Sequence, residues 1–234
     1  GQGVFYAIEA IMRDEKREFS SLKFAIQGFG NVGSYAAKFI SDAGGKIVAV
    51  SDAGGAIHKK DGIDIEALML HTQSTGTICG FSEAEGMKRD DLLTVDCDVL
   101  IPAALGGVLT AENAKDIKAK YIIEAANGPT TPEADEYFIK NGITVLPDIF
   151  VNAGGVVVSY FEWVQNIQQF RWNLNRVNNE LKTIMMEAYR EIVETAKSTN
   201  CDLRTAAFQL AISRVARATA LRGLENESFC MIRN

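Results

Sequence analysis

Histidine is almost missing from this chain. Only His58 and His71 occur among 234 residues. His58 sits beside Lys59 and Lys60 in what reads as a polar turn, and His71 near a helix end, so neither is placed as a catalytic base. The four cysteines, Cys79, Cys97, Cys201 and Cys230, form no C-x-x-C pair. With so few histidines, no metal site is expected, and the thiols read as reduced structural groups in a reducing compartment. Runs of cationic residues are also absent. No more than two Lys or Arg are adjacent and the net charge is −6, which argues against a nucleic-acid or anionic membrane partner. No apolar stretch approaches the ~20 residues that a membrane helix needs. No Ser-His-Asp order, H-E-x-x-H helix or glycosidase-type acid pair stands out. Internal repeats and low-complexity linkers are missing too. The chain opens on Gly1-Gln2-Gly3-Val4 without Met or a secretory leader, which reads as a cut inside a longer protein.

What the chain does have is apolar periodicity, over enough residues to bury a full core. Val4 to Arg17 is helical in pattern. From Leu22 onward, short apolar runs alternate with helical ones. Strands are expected at 22–28, 46–51, 97–101, 120–124 and 143–146, nearly continuous in apolarity as strands covered on both faces should be. Helices are expected at 31–43, 64–71, 111–118 and 132–141; Gly44-Gly45 stops the first and Thr131-Pro132 starts the last. This alternation predicts an α/β fold with a doubly wound, mostly parallel sheet of Rossmann type.

After Pro147 only helices are expected. Asn152 to Gln168 carries Val156, Val157, Tyr160, Phe161, Trp163, Val164 and Ile167 nearly all round, so it should be buried. Leu174, Val177, Leu181, Ile184, Met185, Ala188, Ile192 and Val193 step at three and four along a helix to about Lys197. Asp202 caps a last helix, 203–221, with Ala206, Leu210 and Val215 inward. The division expected is one unit over 1–234, with a leading helix at 1–18, a core at 19–150 and a helical C-terminal extension at 151–234.

The chemistry gathers where such sheets bind ligands, beyond the carboxyl ends of the strands. Gly28-Phe29-Gly30-Asn31-Val32-Gly33 is a complete G-x-G-x-x-G between the first strand and its helix. Gly28 allows the turn, Gly30 lets backbone approach a pyrophosphate, and Gly33 lets the helix pack closely, while the helix N-terminus offers N–H groups to phosphate. The second strand ends at Asp52, 24 residues past Gly28, near the spacing of a carboxylate that holds a ribose hydroxyl. The 97–101 strand leads to Ala103 and Ala104, small enough for a flat ring to approach. The next two strands deliver Asn127 and Asn152, amides that suit a carboxamide or a ribose, though each alone also serves as a turn or cap residue. Gly154-Gly155 near a helix start suggests close backbone approach. Ser159, a turn further, either bonds back to the carbonyl four residues earlier or faces a cleft. The cofactor expected is NAD, with NADP as the alternative. Asp52 repels a 2′-phosphate, and Lys59 and Lys60 stand close enough in sequence to offset that.

Four segments carry a resemblance. Gln27-Gly-Phe-Gly-Asn-Val-Gly33, Asp96-Cys-Asp-Val-Leu-Ile-Pro-Ala-Ala104, Glu124-Ala-Ala-Asn-Gly-Pro-Thr-Thr-Pro-Glu-Ala-Asp135 and Asn152-Ala-Gly-Gly-Val-Val-Val-Ser-Tyr-Phe-Glu-Trp-Val-Gln-Asn166 closely resemble glutamate dehydrogenase, with likeness from Gly1 to Leu224. The resemblance implies reversible oxidative deamination of L-glutamate to 2-oxoglutarate and ammonia. It implies that Gly28 to Gly33 hold the pyrophosphate, Asp52 the adenosine ribose, Asn127 the nicotinamide ribose and Asn152 the carboxamide. Ala103 and Ala104 would lie beside the cofactor, and Val156 and Ser159 would meet the substrate. The family's catalytic lysine and aspartate belong to a substrate domain whose motifs do not occur here, so no catalytic residue is expected in this chain. The resemblance also implies a homo-oligomer, a hexamer, in the cytoplasm or an organellar matrix. A branched-chain or aromatic amino-acid dehydrogenase domain, or a stand-alone dinucleotide-binding module, are the alternatives.

Overall fold

A computed structural model describes residues 1–222. Seven strands make one sheet: β1 Lys23–Gln27, β2 Lys46–Ser51, β3 Ala56–His58, β4 Glu85–Met87, β5 Val99–Pro102, β6 Tyr121–Ile123 and β7 Thr144–Leu146. Their order is β4-β3-β2-β1-β5-β6-β7. The five strands from β2 to β7 in that order are parallel, and β3 and β4 form an antiparallel edge. The helices are α1 Gln2–Asp14, α2 Asn31–Asp42, α3 Ile65–Thr75, α4 Pro132–Lys140, α5 Asp148–Val151, α6 Ala153–Gln168, α7 Leu174–Thr199 and α8 Leu203–Leu221.

The sheet is apolar on both faces because both are covered. In β1, Phe24 and Ile26 join one core with Ile8, Ile40 and Met185, while Ala25 between them joins a second core with Leu100, Ile122 and Phe138. That alternation is the period of two of a strand read from both sides. Helix starts are set by side chains that accept a backbone N–H: Asp64 from Ala67, Asn173 from Arg176 and Asp202 from Thr205. Such a cap contributes about 1 kcal/mol.

Several expectations fail for identifiable reasons. The 111–118 helix is only a 3-10 turn at Ala114–Asp116. There the Asn113 amide accepts from the Thr110 N–H and donates to the Val108 carbonyl, which competes with helical bonding. His58 lies in β3 opposite Ala49, not in a turn. The β3–β4 edge was not foreseen, since three-residue strands with an exposed Glu85-Gly86 carry no usable period. α5 is likewise an addition, between Pro147 and Asn152.

The largest correction concerns α6. Gly154 and Phe161 are buried, but Val156 is 73% exposed, Trp163 57% and Ile167 62%. α6 packs on α1, α5 and α7 along one stripe, and no described element covers the rest. The same holds on α7 for Leu174 and Ile184, and on α8 for Val215, which is exposed where Ala206 is fully buried. Gly154 does answer to close approach: a Cβ there would lie 2.8 Å from the Cα of Gly3 on α1, whereas nothing lies within 4 Å of one on Gly155.

Candidate functional site

The winding of the sheet reverses between β1 and β5, which places a crevice over their carboxyl ends. Gly28 leaves β1 with φ +102, and its N–H donates to the Ser51 carbonyl at 2.9 Å. A Cβ on Gly28 would meet Ala104 Cβ at 2.9 Å, so the glycine turn and the β5 exit are in contact. Gly33, in the first turn of α2, crosses directly over that turn. A Cβ on it would lie 1.8 Å from the Gly28 oxygen, so only glycine fits. At Gly30 the opposite holds: a Cβ would meet nothing within 4 Å. The turn thus encloses open room just where the first amides of α2, from Asn31, Val32 and Gly33, lack intrahelical acceptors. Phe29 packs at the edge of the first core, and Val32 is exposed beside the turn. A pyrophosphate fits this cradle: space at Gly30, free N–H groups and the positive end of a 12-residue helix.

The rim continues along the sheet. The N–H groups of Ala125 and Ala126 donate to the Pro102 carbonyl, and that of Gly107 to the Gly128 carbonyl. Asn127 and Asn152 meet directly, with Asn152 Nδ2 donating to Asn127 Oδ1 at 2.7 Å. That bond leaves the Asn127 amide N–H groups and the Asn152 amide oxygen with no partner among the described residues, so the pair can still donate and accept. Val156 and Ser159 stand exposed a turn apart on α6. Among the described residues the Ser159 hydroxyl makes no hydrogen bond back to Gly155, and the residue is exposed.

Asp52 sits where the sequence places it, at the end of β2, but its carboxylate is already engaged. Oδ1 accepts from the Gly54 and Gly55 N–H groups, and Oδ2 from Thr77 Oγ1 at 2.7 Å and the Ile78 N–H at 2.8 Å. Partial burial pushes its pKa up, yet these four bonds outweigh burial and hold it below the usual carboxylate value. Asp52 therefore organises the 52–55 and 77–78 loops first, and any ribose contact must share its lone pairs. Thr77 was not singled out by sequence. His71, whose Nε2 lies 3.0 Å from the Cys79 carbonyl, ties the same loop to α3. Lys59 pairs with Glu83 at 3.5 Å, which weakens it as an offset to Asp52.

Sequence reasoning also missed an ionic cluster of half-buried Arg204 and Asp135 around the buried Glu124. Arg204 on α8 forks onto Glu124, at the exit of β6, and onto Asp135 of α4. Among the described residues no group of three or more His, Cys, Asp or Glu could hold a metal. Cys97 is buried and its thiol is pushed up to about 12, chiefly by burial, so it is inert. Cys79, Cys97 and Cys201 are free, and Cys230 lies outside the described residues. No helix of the described residues is long and apolar enough to cross a membrane.

Residues 1–223 match the model of the glutamate/leucine/phenylalanine/valine dehydrogenase family. A glutamate dehydrogenase of Thermotoga maritima is 50% identical over 201 residues, covering 86% of this chain and 48% of that protein. The hetero-hexameric glutamate dehydrogenase of Thermus thermophilus superposes with a TM-score of 0.89 at 28% identity, over 96% of this chain and 53% of its own. That of Peptoniphilus asaccharolyticus gives 0.81 at 36% identity, over 96% and 53%. The chain spans about half the length of these relatives. A family model that matches nearly the whole chain settles its membership: the chain belongs to the glutamate/leucine/phenylalanine/valine dehydrogenase family.

Proposed function

We propose that this chain is the coenzyme-binding half of an NAD(P)-dependent L-glutamate dehydrogenase. The reading rests above all on one observation: the glycine cradle, Ala103–Ala104 and the bonded Asn127–Asn152 pair form one continuous rim at the sheet's carboxyl edge. The reaction is reversible oxidative deamination of L-glutamate to 2-oxoglutarate and ammonia. When bound, the nicotinamide supplies the hydride acceptor. This chain's residues grip and orient. The α2 N-terminus and Gly30 hold the pyrophosphate, Asp52 the adenosine ribose, and Ala103 and Ala104 leave room beside the cofactor. Asn127 meets the nicotinamide ribose and Asn152 the carboxamide. Acid–base groups and most substrate-carboxylate ligands come from the other half of the protein.

The exposed apolar face of α6 supports that division. A helix apolar nearly all round is normally covered, and we read the uncovered side, with Val156, as the wall facing the substrate half. There Val156 packs on the substrate methylenes and the Ser159 hydroxyl donates to the side-chain carboxylate. In the full-length enzyme, Ser159→Ala is expected to lower kcat/KM for glutamate by about 1–3 kcal/mol, the loss when a buried charged group goes unpaired. Norvaline, which lacks that carboxylate, should lose much less. Equal losses on both would leave Ser159 as a helix residue only. The isolated chain should show no glutamate oxidation.

NAD is the favoured cofactor. Asp52→Ser is expected to move the NAD/NADP affinity ratio toward NADP by about fivefold to tenfold, as removal of one nearby charge allows. An unchanged ratio contradicts the assignment. The same carboxylate sets a pH dependence. Its folded pKa lies below the unfolded value of about 3.9, so its stabilisation is present above that pH and is lost as pH falls through the folded value. Urea unfolding should therefore show a gap between wild type and Asp52→Asn that is flat from about pH 5 to 7 and closes below about pH 4. We place the protein in a reducing compartment, the cytoplasm or an organellar matrix, and expect the full-length enzyme to be a homo-oligomer, as a hexamer.

A further inference from the structure

Arg204 occupies the first turn of α8, the end of a helix where a cation is least favoured by the macrodipole. Its reason for being there is the fork it makes. Nη1 and Nη2 donate to the two oxygens of Glu124 at 2.8 Å, while Nε and Nη2 donate to the two oxygens of Asp135 at 2.8 and 3.0 Å. Glu124 is wholly buried. The guanidinium meets this buried side chain bidentately, so neither partner of the fork is left without its counterpart. Burial pulls the Arg204 pKa down, but the hydrogen bonds to Glu124 and Asp135 outweigh it and hold the guanidinium above its ordinary value.

The fork does more than join α8 to β6. Glu124 Oε2 also accepts the Asp148 N–H at 3.0 Å. Asp148 opens α5, and its own Oδ2 accepts the Gly128 N–H at 2.7 Å. Gly128 follows Asn127 with φ +52. The Asn152 N–H, at the end of α5, donates to the Asp148 carbonyl at 3.1 Å, and the Asn152 amide donates to Asn127. The loop that carries Asn127 and the turn that carries Asn152 are thus both referred to Glu124, and Glu124 is referred to Arg204. The adenosine side of the crevice, with the Gly28 turn and Asp52, is bonded to other partners and lies outside this chain of contacts.

We propose that Arg204 is a positioning residue for the nicotinamide end of the site, acting through Glu124 and Asp148 on the Asn127–Asn152 pair. This rests on the cofactor reading above and deepens it. Lysine at 204 keeps the charge but cannot reproduce two planar forks, so Arg204→Lys should leave the fold standing while the rim loosens.

The test has two arms on the chain itself. In the ligand-free chain, amide exchange at Gly128 and Asp148 should speed up about tenfold or more in Arg204→Lys, while Gly28 keeps its wild-type rate. In binding, Arg204→Lys should weaken NADH about tenfold, and leave ADP-ribose, which lacks the nicotinamide, within about twofold. Equal weakening of both ligands, or of neither, overturns the proposal. So does unchanged exchange at Gly128 and Asp148, whatever the ligands do. Wild-type chain that binds neither ligand sinks the cofactor reading, an outcome separable because the exchange arm needs no ligand. If the lysine variant does not fold, Glu124→Gln combined with Arg204→Met removes the buried carboxylate together with its partner, and the same NADH-against-ADP-ribose split is expected.

Discussion

Alanine at Gly33 and alanine at Gly30 should behave as opposites. A Cβ on Gly33 would lie 1.8 Å from a backbone oxygen of the glycine turn. No rotamer relieves that, so α2 must move off β1 or the Gly28 peptide must turn. Overpacking of this kind costs about 1–3 kcal/mol, occasionally more. Cofactor affinity should fall with it, by about a hundredfold, because the amides of α2 no longer aim into the cradle. Gly30 has φ −80 and ψ −161, a backbone any residue adopts, with open space around its missing side chain. Gly30→Ala should therefore leave stability unchanged or raised by a few tenths of a kcal/mol. It should still cost affinity, because the methyl group stands where phosphate must approach. Denaturant unfolding and cofactor titration on both variants separate a ligand cradle from a turn that is merely rich in glycine. Full binding by Gly30→Ala would speak for the latter.

The crossing of α1 and α6 should be the second most sensitive point. Gly3 and Gly154 meet backbone to backbone, and a Cβ on either would lie 2.8 Å from the other's Cα. Gly154→Val should lose about 3 kcal/mol of stability, at the upper end of overpacking costs. The pair Gly3→Ala and Gly154→Ala should be less than additive, since helices parted by one methyl make room for the other. Gly155→Ala is the control. It is exposed in the same helix with nothing within 4 Å, and should gain about 0.4–1 kcal/mol. Because Asn152 immediately precedes α6, Gly154→Val should also weaken cofactor binding. A Gly154→Val protein as stable as wild type would show that the two backbones do not touch.

The parts of this molecule written in local pattern were legible from sequence. The five parallel strands were expected within two residues of where they lie, since each is an apolar run whose both faces are covered. The glycine turn was legible because the steric demands on Gly28 and Gly33 leave no other residue type. Asn127 and Asn152 were expected on one rim because both follow strands that end at the same edge. Their direct bond was not, since it depends on α5 turning the chain back after Pro147. Pairings across long separations stayed hidden. Glu124 directly after a buried strand signals a need for a cation, but 24 Lys and Arg are candidates and nothing local selects Arg204, eighty residues on. The α6 error has a different cause. Apolar composition tells that a helix face is to be covered, not that the cover lies in this chain, and these relatives are about twice as long.

The central claim is that the crevice between β1 and β5 is a dinucleotide site. Titration calorimetry of NAD and of NADP into the chain tests it most directly. The account predicts saturable one-to-one binding, tighter for NAD, weakened by Gly30→Ala without loss of fold. No heat of binding from either cofactor at millimolar concentration, with the chain folded, would contradict it.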